Sequence, residues 1–172
     1  RQYALEKLGE SGEADAVRTR HRDHYTARAL ALDAAADVGR QIELIERELD
    51  NLRAAFAWSR EHADAARALA LASALQPMWQ RGGRVREGLA WFASVLADDG
   101  NSTRLDAATR AQALADEATL DGSMGNSGDF DRAEEALTLA REVGDPVLLS
   151  RVLAACLWTA GRDAPMTQRY LP

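Results

Sequence analysis

The sequence predicts an all-α protein built from antiparallel helix pairs stacked as a repeat array. Three observations carry this. The 172 residues include 35 Ala and 22 Leu against 7 Val and 2 Ile, and Ala and Leu favour helices where β-branched residues favour strands. Apolar residues recur at spacings of three and four, as one face of an amphipathic helix requires. A stretch of the chain also repeats itself 45 positions on: Ala72, Leu75, Trp79, Gly83, Val85, Gly88, Phe92 and Val95 align with Glu117, Leu120, Met124, Gly128, Phe130, Ala133, Leu137 and Ala140. Seven of the eight pairs keep their size class, and only Ala72 against Glu117 fails.

Taken in order, the chain reads as eight helices. The first is a stub, Arg1 to Leu8, closed by Gly9 and Ser11-Gly12. The second spans Ala14 to Leu32 and the third Arg40 to Arg60, whose stripe is Ile42, Ile45, Leu49, Leu52 and Phe56. His62 is placed to cap the third helix. The fourth runs from Asp64 to Arg81 and must kink or end near Leu75, because Pro77 removes a backbone donor. The fifth spans Arg84 to Leu96. Thr103 and Asp106 have capping-box spacing, which starts the sixth at Arg104 and carries it to Asp121. Asp129 caps the seventh, Phe130 to Val143. Asp145-Pro146 starts the eighth, which reaches Ala160.

The repeated spacing, Leu-x3-large-x3-Gly-x-apolar-x2-small-x3-large, resembles the tetratricopeptide helix pair and implies a right-handed array of such pairs. Glycine permits the tight turn, and the small residue (Gly88 or Ala133) lets the second helix approach the first. A closed helical bundle is the alternative.

Charge and composition narrow the function classes. The formal net charge is −6, so there is no overall basic character of the kind a nucleic-acid binder carries. No apolar run is long enough to cross a membrane. Cys156 is the only cysteine, which excludes an internal disulfide and fits a reducing, cytoplasmic setting. The opening residues are not a signal peptide; they read as the middle of a helix, so the chain is expected to be a piece of something larger. There is no phosphate loop, no nucleophile elbow, no zinc-protease motif and no dinucleotide turn. His21 and His24 share a helix face, yet no second cluster completes a metal site, so no metal and no cofactor is expected. The neighbouring pairs Asp116-Glu117 and Glu134-Glu135 point about 100° apart and are read as solvated faces. Cys156 lies in an apolar helix interior and is read as inert.

Helical-repeat arrays bind partners on the face built from their first helices. On this register Ser73, Trp79, Gln80, Arg81, Asn126 and Trp158 are the candidates for a partner- or effector-binding face. For Trp79 and Trp158 a place in the core is the alternative; Trp58 and Trp91 are read as core. Asn51, at the edge of the third helix's stripe, is read as tying down a neighbouring loop, with a plain surface asparagine as the alternative. Asn51 and Arg53 form the interdomain structural pair.

Three stretches carry a family resemblance: Arg1 to Leu8 with Gly12-Glu13-Ala14 and Arg20-His21; Asp50-Asn51-Leu52-Arg53-Ala54-Ala55-Phe56-Ala57-Trp58; and Trp79-x2-Gly82-Gly83-x3-Glu87-Gly88-x2-Trp91-x4-Leu96-Ala97. In this order they resemble bacterial transcriptional regulators of the signal-transducing ATPase class (NB-ARC-like, LuxR or SARP type). The resemblance implies the end of a winged-helix subdomain over 1–12, a helical hairpin over 13–62 and tetratricopeptide-like repeats over 63–172. It also implies a non-catalytic sensor and protein-interaction segment. Its partners would be the nucleotide-binding and DNA-binding modules of the same polypeptide and a protein or small effector, with no nucleic-acid contact of its own. A free-standing repeat adaptor for a peptide or protein partner is the rival reading, and a helical enzyme using His21, His24 and a carboxylate is a distant third.

Overall fold

The computed structural model describes residues 13–33, 38–97, 105–125 and 130–160. Among the described residues the regular structure is entirely helical: α1 (Ala14–Asp33), α2 (Val38–Glu61), α3 (Ala65–Ala74), α4 (Gln76–Arg81), α5 (Val85–Leu96), α6 (Ala107–Ser123), α7 (Phe130–Val143) and α8 (Pro146–Ala160). The expected stub at Arg1–Leu8 and the cap at Asp129 lie outside the described residues. No helix is long and apolar enough to cross a membrane among those described.

The helices pack with their neighbours along the chain, as a repeat array does. The first helices α1, α3, α6 and α8 touch in sequence. The second helices α2, α5 and α7 each lie against the first helix of their own pair and of the next. The side of α4, α6 and α8 turned away from these second helices is the inner face.

Local chemistry explains the boundaries. The expected break at Leu75 is present: α3 ends at Ala74 and α4 begins at Gln76, with Pro77 in its first turn. Gly83 turns the chain between α4 and α5 at φ 71°, a region glycine enters without steric cost, and the Arg84 N–H donates to the Trp79 carbonyl at 3.0 Å. His62 Nδ1 lies 2.9 Å from the Trp58 carbonyl, at the C-terminus of α2. Asp145 Oδ1 accepts from the Val147 and Leu148 N–H groups at 2.7 and 3.0 Å, capping α8. The sixth helix starts later than its sequence suggests. Its cap is Asp106, whose carboxylate accepts from the Thr109 N–H at 2.8 Å, and the helix begins at Ala107 rather than Arg104. Asp106 reaches the third N–H of the turn itself, so it is the capping residue, and Thr103 lies outside the described residues.

Two apolar clusters meet at α6. One joins α1 to α5 and takes Ala113 and Leu120 from α6; the other joins α6, α7 and α8. The repeat register is visible in them. Leu75 and Leu120, Gly88 and Ala133, Phe92 and Leu137, and Val95 and Ala140 are all buried. Trp79 and Met124 part company, since Trp79 is enclosed and Met124 is exposed at the end of α6. Phe56 stacks on Trp91 with ring centroids 3.9 Å apart, and Trp91 meets Trp79 edge-on at 5.0 Å. Trp58 and Trp91 are both buried, as read from sequence.

One expectation is overturned. Asp116 and Glu117 are not a solvated face: they are 4% and 5% exposed. Helix α6 is flanked by α3, α4, α5, α7 and α8, which leaves it little face to solvent. Because the two carboxylates point in different directions, each meets a different neighbour. Asp116 pairs with Arg151 of α8, and Glu117 with Arg132 of α7.

Cys156 is buried between α8 and α7, its thiol 3.5 Å from the Ala133 carbonyl. Burial first, then the Glu134 carboxylate, push the thiol up to about 11 from 9.0. The folded chain is therefore expected to resist aromatic disulfide reagents at pH 8 and to react fully once unfolded in urea. The raised value means that the unfolded thiol ionises first, so stability falls as pH rises from 9 towards 11. Rapid labelling of the native chain at pH 8 would contradict this burial.

Candidate partner-binding groove

The inner face carries a groove of about 400 Å³ bounded by α4, α6 and α8. Its polar wall is Gln76 and Gln80, one helical turn apart on α4, with Thr119 on α6. Gln80 Nε2 donates to Ser123 Oγ at 3.0 Å, which orients the amide. Its floor is the Asp116–Arg151 pair. Arg151 Nε and Nη2 donate to the two carboxylate oxygens of Asp116 at 3.1 Å each, a bidentate fork. Nη2 also lies 3.5 Å from the Ser73 carbonyl. Its apolar wall is Ala154 and Trp158 of α8. Trp158 is 53% exposed, and its indole edge lies over the backbone at Gly122.

The sequence-derived candidates divide here. Gln80 and Trp158 line the groove. Arg81 is exposed at the end of α4 and does not line it. Asn126 lies outside the described residues. Ser73 and Trp79 are corrected: both side chains are buried, Trp79 completely, so neither faces a partner directly. Trp79 turns into the core because α4 lies over Gly88 of α5, the small residue that admits its ring. Sequence reasoning missed Gln76, Thr119, Asp116 and Arg151. A signal for Arg151 was present, since it is the one charged residue in the α8 sequence PVLLSRVLAACLWTA.

The second candidate pair sits where α2 meets α5. Arg53 of α2 donates from Nε and Nη2 to the Glu87 carboxylate of α5, at 2.7 and 3.0 Å, and from Nη1 to Asp50 at 3.0 Å. Among the described residues Asn51 meets helices rather than a loop. Its amide donates to Glu48 at 2.8 Å, and its oxygen lies 3.4 Å from His21 Nε2, so it joins α2 to α1. The Asn51 amide, then Arg28, hold the Glu48 carboxyl below the usual carboxylate range. Among the described residues no three His, Cys, Asp or Glu side chains gather as metal ligands would. His21 and His24 instead pack against Tyr25, with ring centroids 4.6 and 5.0 Å away.

The groove is a mixed polar and apolar concavity on the inner face of an all-helical repeat. The chain is 48% identical, over 99% of its length, to proteins of Mycobacterium tuberculosis and Mycobacterium bovis, each named "Putative HTH-type transcriptional regulator". It spans 20% of their length. No family model matches the chain, and no solved structure matches it.

Proposed function

We propose that this chain is the non-catalytic, helical-repeat sensor segment of a larger ATP-dependent transcriptional regulator of the signal-transducing ATPase class. One observation carries the reading. The likeness to the mycobacterial regulators extends over 99% of this chain while taking up a fifth of theirs, as one segment of a longer protein would. The groove supplies a place where a protein or small effector acts. The Arg53–Glu87 fork supplies a rigid link between the hairpin and the later helices, through which a signal passes to the nucleotide-binding module.

The test is a transcriptional reporter driven by the full-length regulator. Trp158→Ala or Gln80→Ala is expected to change inducible transcription at least fivefold while nucleotide binding by the intact protein persists. The isolated 172-residue chain is expected to turn over no ATP. An unchanged reporter response in both variants, or ATP turnover by the isolated chain, overturns the reading. A reading frame confined to this segment would favour the free-standing adaptor instead.

A further inference from the structure

We propose that the outer cleft between α5 and α7 binds a small arylalkyl ammonium ion, its ring on an alanine floor and its charged nitrogen beside Glu117 and Asp121. This goes beyond the reading above. The cleft lies on the opposite side of α6 from the inner groove, and neither site depends on the other.

The cleft follows from small residues. Helices α5 and α7 both pack on α6, and a cavity of about 380 Å³ remains between them. Ala90 and Ala93 of α5 and Ala118 of α6 line it. A methyl group is too short to close the gap, so the two outer helices stay apart over this stretch. Ala90 and Ala93 are exposed and Leu89 is half-buried, so apolar surface stands open here. Covering such surface is favourable.

Size sets the bulk of the occupant. A cavity of about 150 Å³ holds benzene. The cleft has room for one aromatic ring and a short arm beyond it.

Helix α6 places the charge. Glu117 and Asp121 are four residues apart and share one side of the helix, whereas Asp116 and Thr119 turn to the inner groove. Glu117 is 5% exposed. It pairs with Arg132 of α7, which lines the same cleft. The lining thus carries two carboxylates, one guanidinium and no other ionisable group. One negative charge is in excess, and one of the two carboxylates is held out of water, where charge must be balanced. A monovalent cation restores the balance. An anion worsens it, and a neutral body leaves it unchanged. Arg86, a turn before Ala90, is exposed and outside the lining, so solvent screens it. An ammonium group has three donors and seeks acceptors on more than one side. The Glu117 and Asp121 carboxylates, one turn apart, supply them.

The experiment titrates the 172-residue chain with three compounds of like size, 2-phenylethylammonium, 2-phenylethanol and phenylacetate, and follows backbone amide shifts by NMR. The ammonium is expected to bind with a Kd on the order of 1 mM or below, as suits so small a ligand. It is expected to move the amides of 89–93, 117–121 and 132. The alcohol is expected to bind at least about tenfold more weakly, and phenylacetate not at all. Butylammonium, which has the charge without the ring, is expected to lose at least about tenfold as well. Binding of butylammonium as tight as that of the aryl amine assigns the site to a lysine-like chain and overturns the ring. Ala93→Trp fills the cleft from an exposed position and is expected to abolish binding. Asp121→Asn is expected to weaken it at least fivefold. Thr138→Ala, exposed on α7 and outside the lining, is expected to change nothing. Each variant's own spectrum reports whether it is folded, and Ala90→Trp replaces Ala93→Trp if the latter is not. Equal binding of the three compounds, shifts confined to the inner groove, or full affinity in the tryptophan variant overturns the proposal. So does the absence of any shift at about 10 mM ammonium, well above the expected Kd. None of these outcomes bears on the inner groove, which the reporter tests separately.

Discussion

Trp79→Ala is expected to destabilise the chain by about 3–5 kcal/mol, the range for removing a fully buried tryptophan. Trp79 is completely enclosed, and its ring meets Trp91 edge-on and lies against Gly88. Its indole nitrogen makes no hydrogen bond, so the loss is one of packing and apolar burial. Three elements, α4, α5 and α6, close around the ring, and none can collapse into the space without losing its own contacts. Urea unfolding followed by circular dichroism measures the effect as a lowered midpoint. A loss below about 1 kcal/mol would mean that the helix pairs slide together and that Trp79 is no keystone.

Gly88→Val is the reciprocal change and is expected to cost about 3 kcal/mol, the upper part of the overpacking range. Even one carbon added at Gly88 would lie 2.7 Å from Trp79 Cγ and 2.8 Å from Leu120 Cδ1. Trp79 Cγ belongs to a rigid, enclosed ring, and the Leu120 methyl, though the end of its side chain, is itself fully buried, so α5 must move away from α4 and α6. The better helix propensity of a non-glycine residue offsets less than 1 kcal/mol of this. Because the two sites touch, their effects are not additive. In a Trp79→Ala background the valine fills vacated space, and its cost is expected to fall below about 1 kcal/mol. Equal costs of Gly88→Val in both backgrounds would show that the clash lies elsewhere.

Much of the fold was legible because it rests on local rules. The break at Leu75 follows from one proline, and the start of α8 from Asp145-Pro146. The alignment of Gly88 with Ala133 and of Phe92 with Leu137 marks positions that are buried in both repeats. The miss at Asp106 is also local: an aspartate serves equally as a cap or as the third residue of a box, and spacing alone does not separate the two.

The site was only half legible. Register placed Gln80 and Trp158 on the inner face, but it placed Trp79 there too. A helix presents large residues to its neighbours on more than one side, and periodicity does not say which side is closed. The ion pairs were out of reach for a different reason. Asp116 and Arg151 are 35 residues apart, and neither carries a sequence mark of the other. A charged residue on a helix reads as solvated until a third helix is seen to cover it.

Helical character, the helix breaks and the repetition of helix pairs can all be read from the residues alone. Those properties follow from propensity, capping and hydrophobic period, which act over a few residues. Which carboxylates are buried, which tryptophan is core and which is open, and the groove between α4, α6 and α8 all come from the packing of the helices. Those depend on how three layers of helix close around one another, a contact between distant segments that no local pattern encodes.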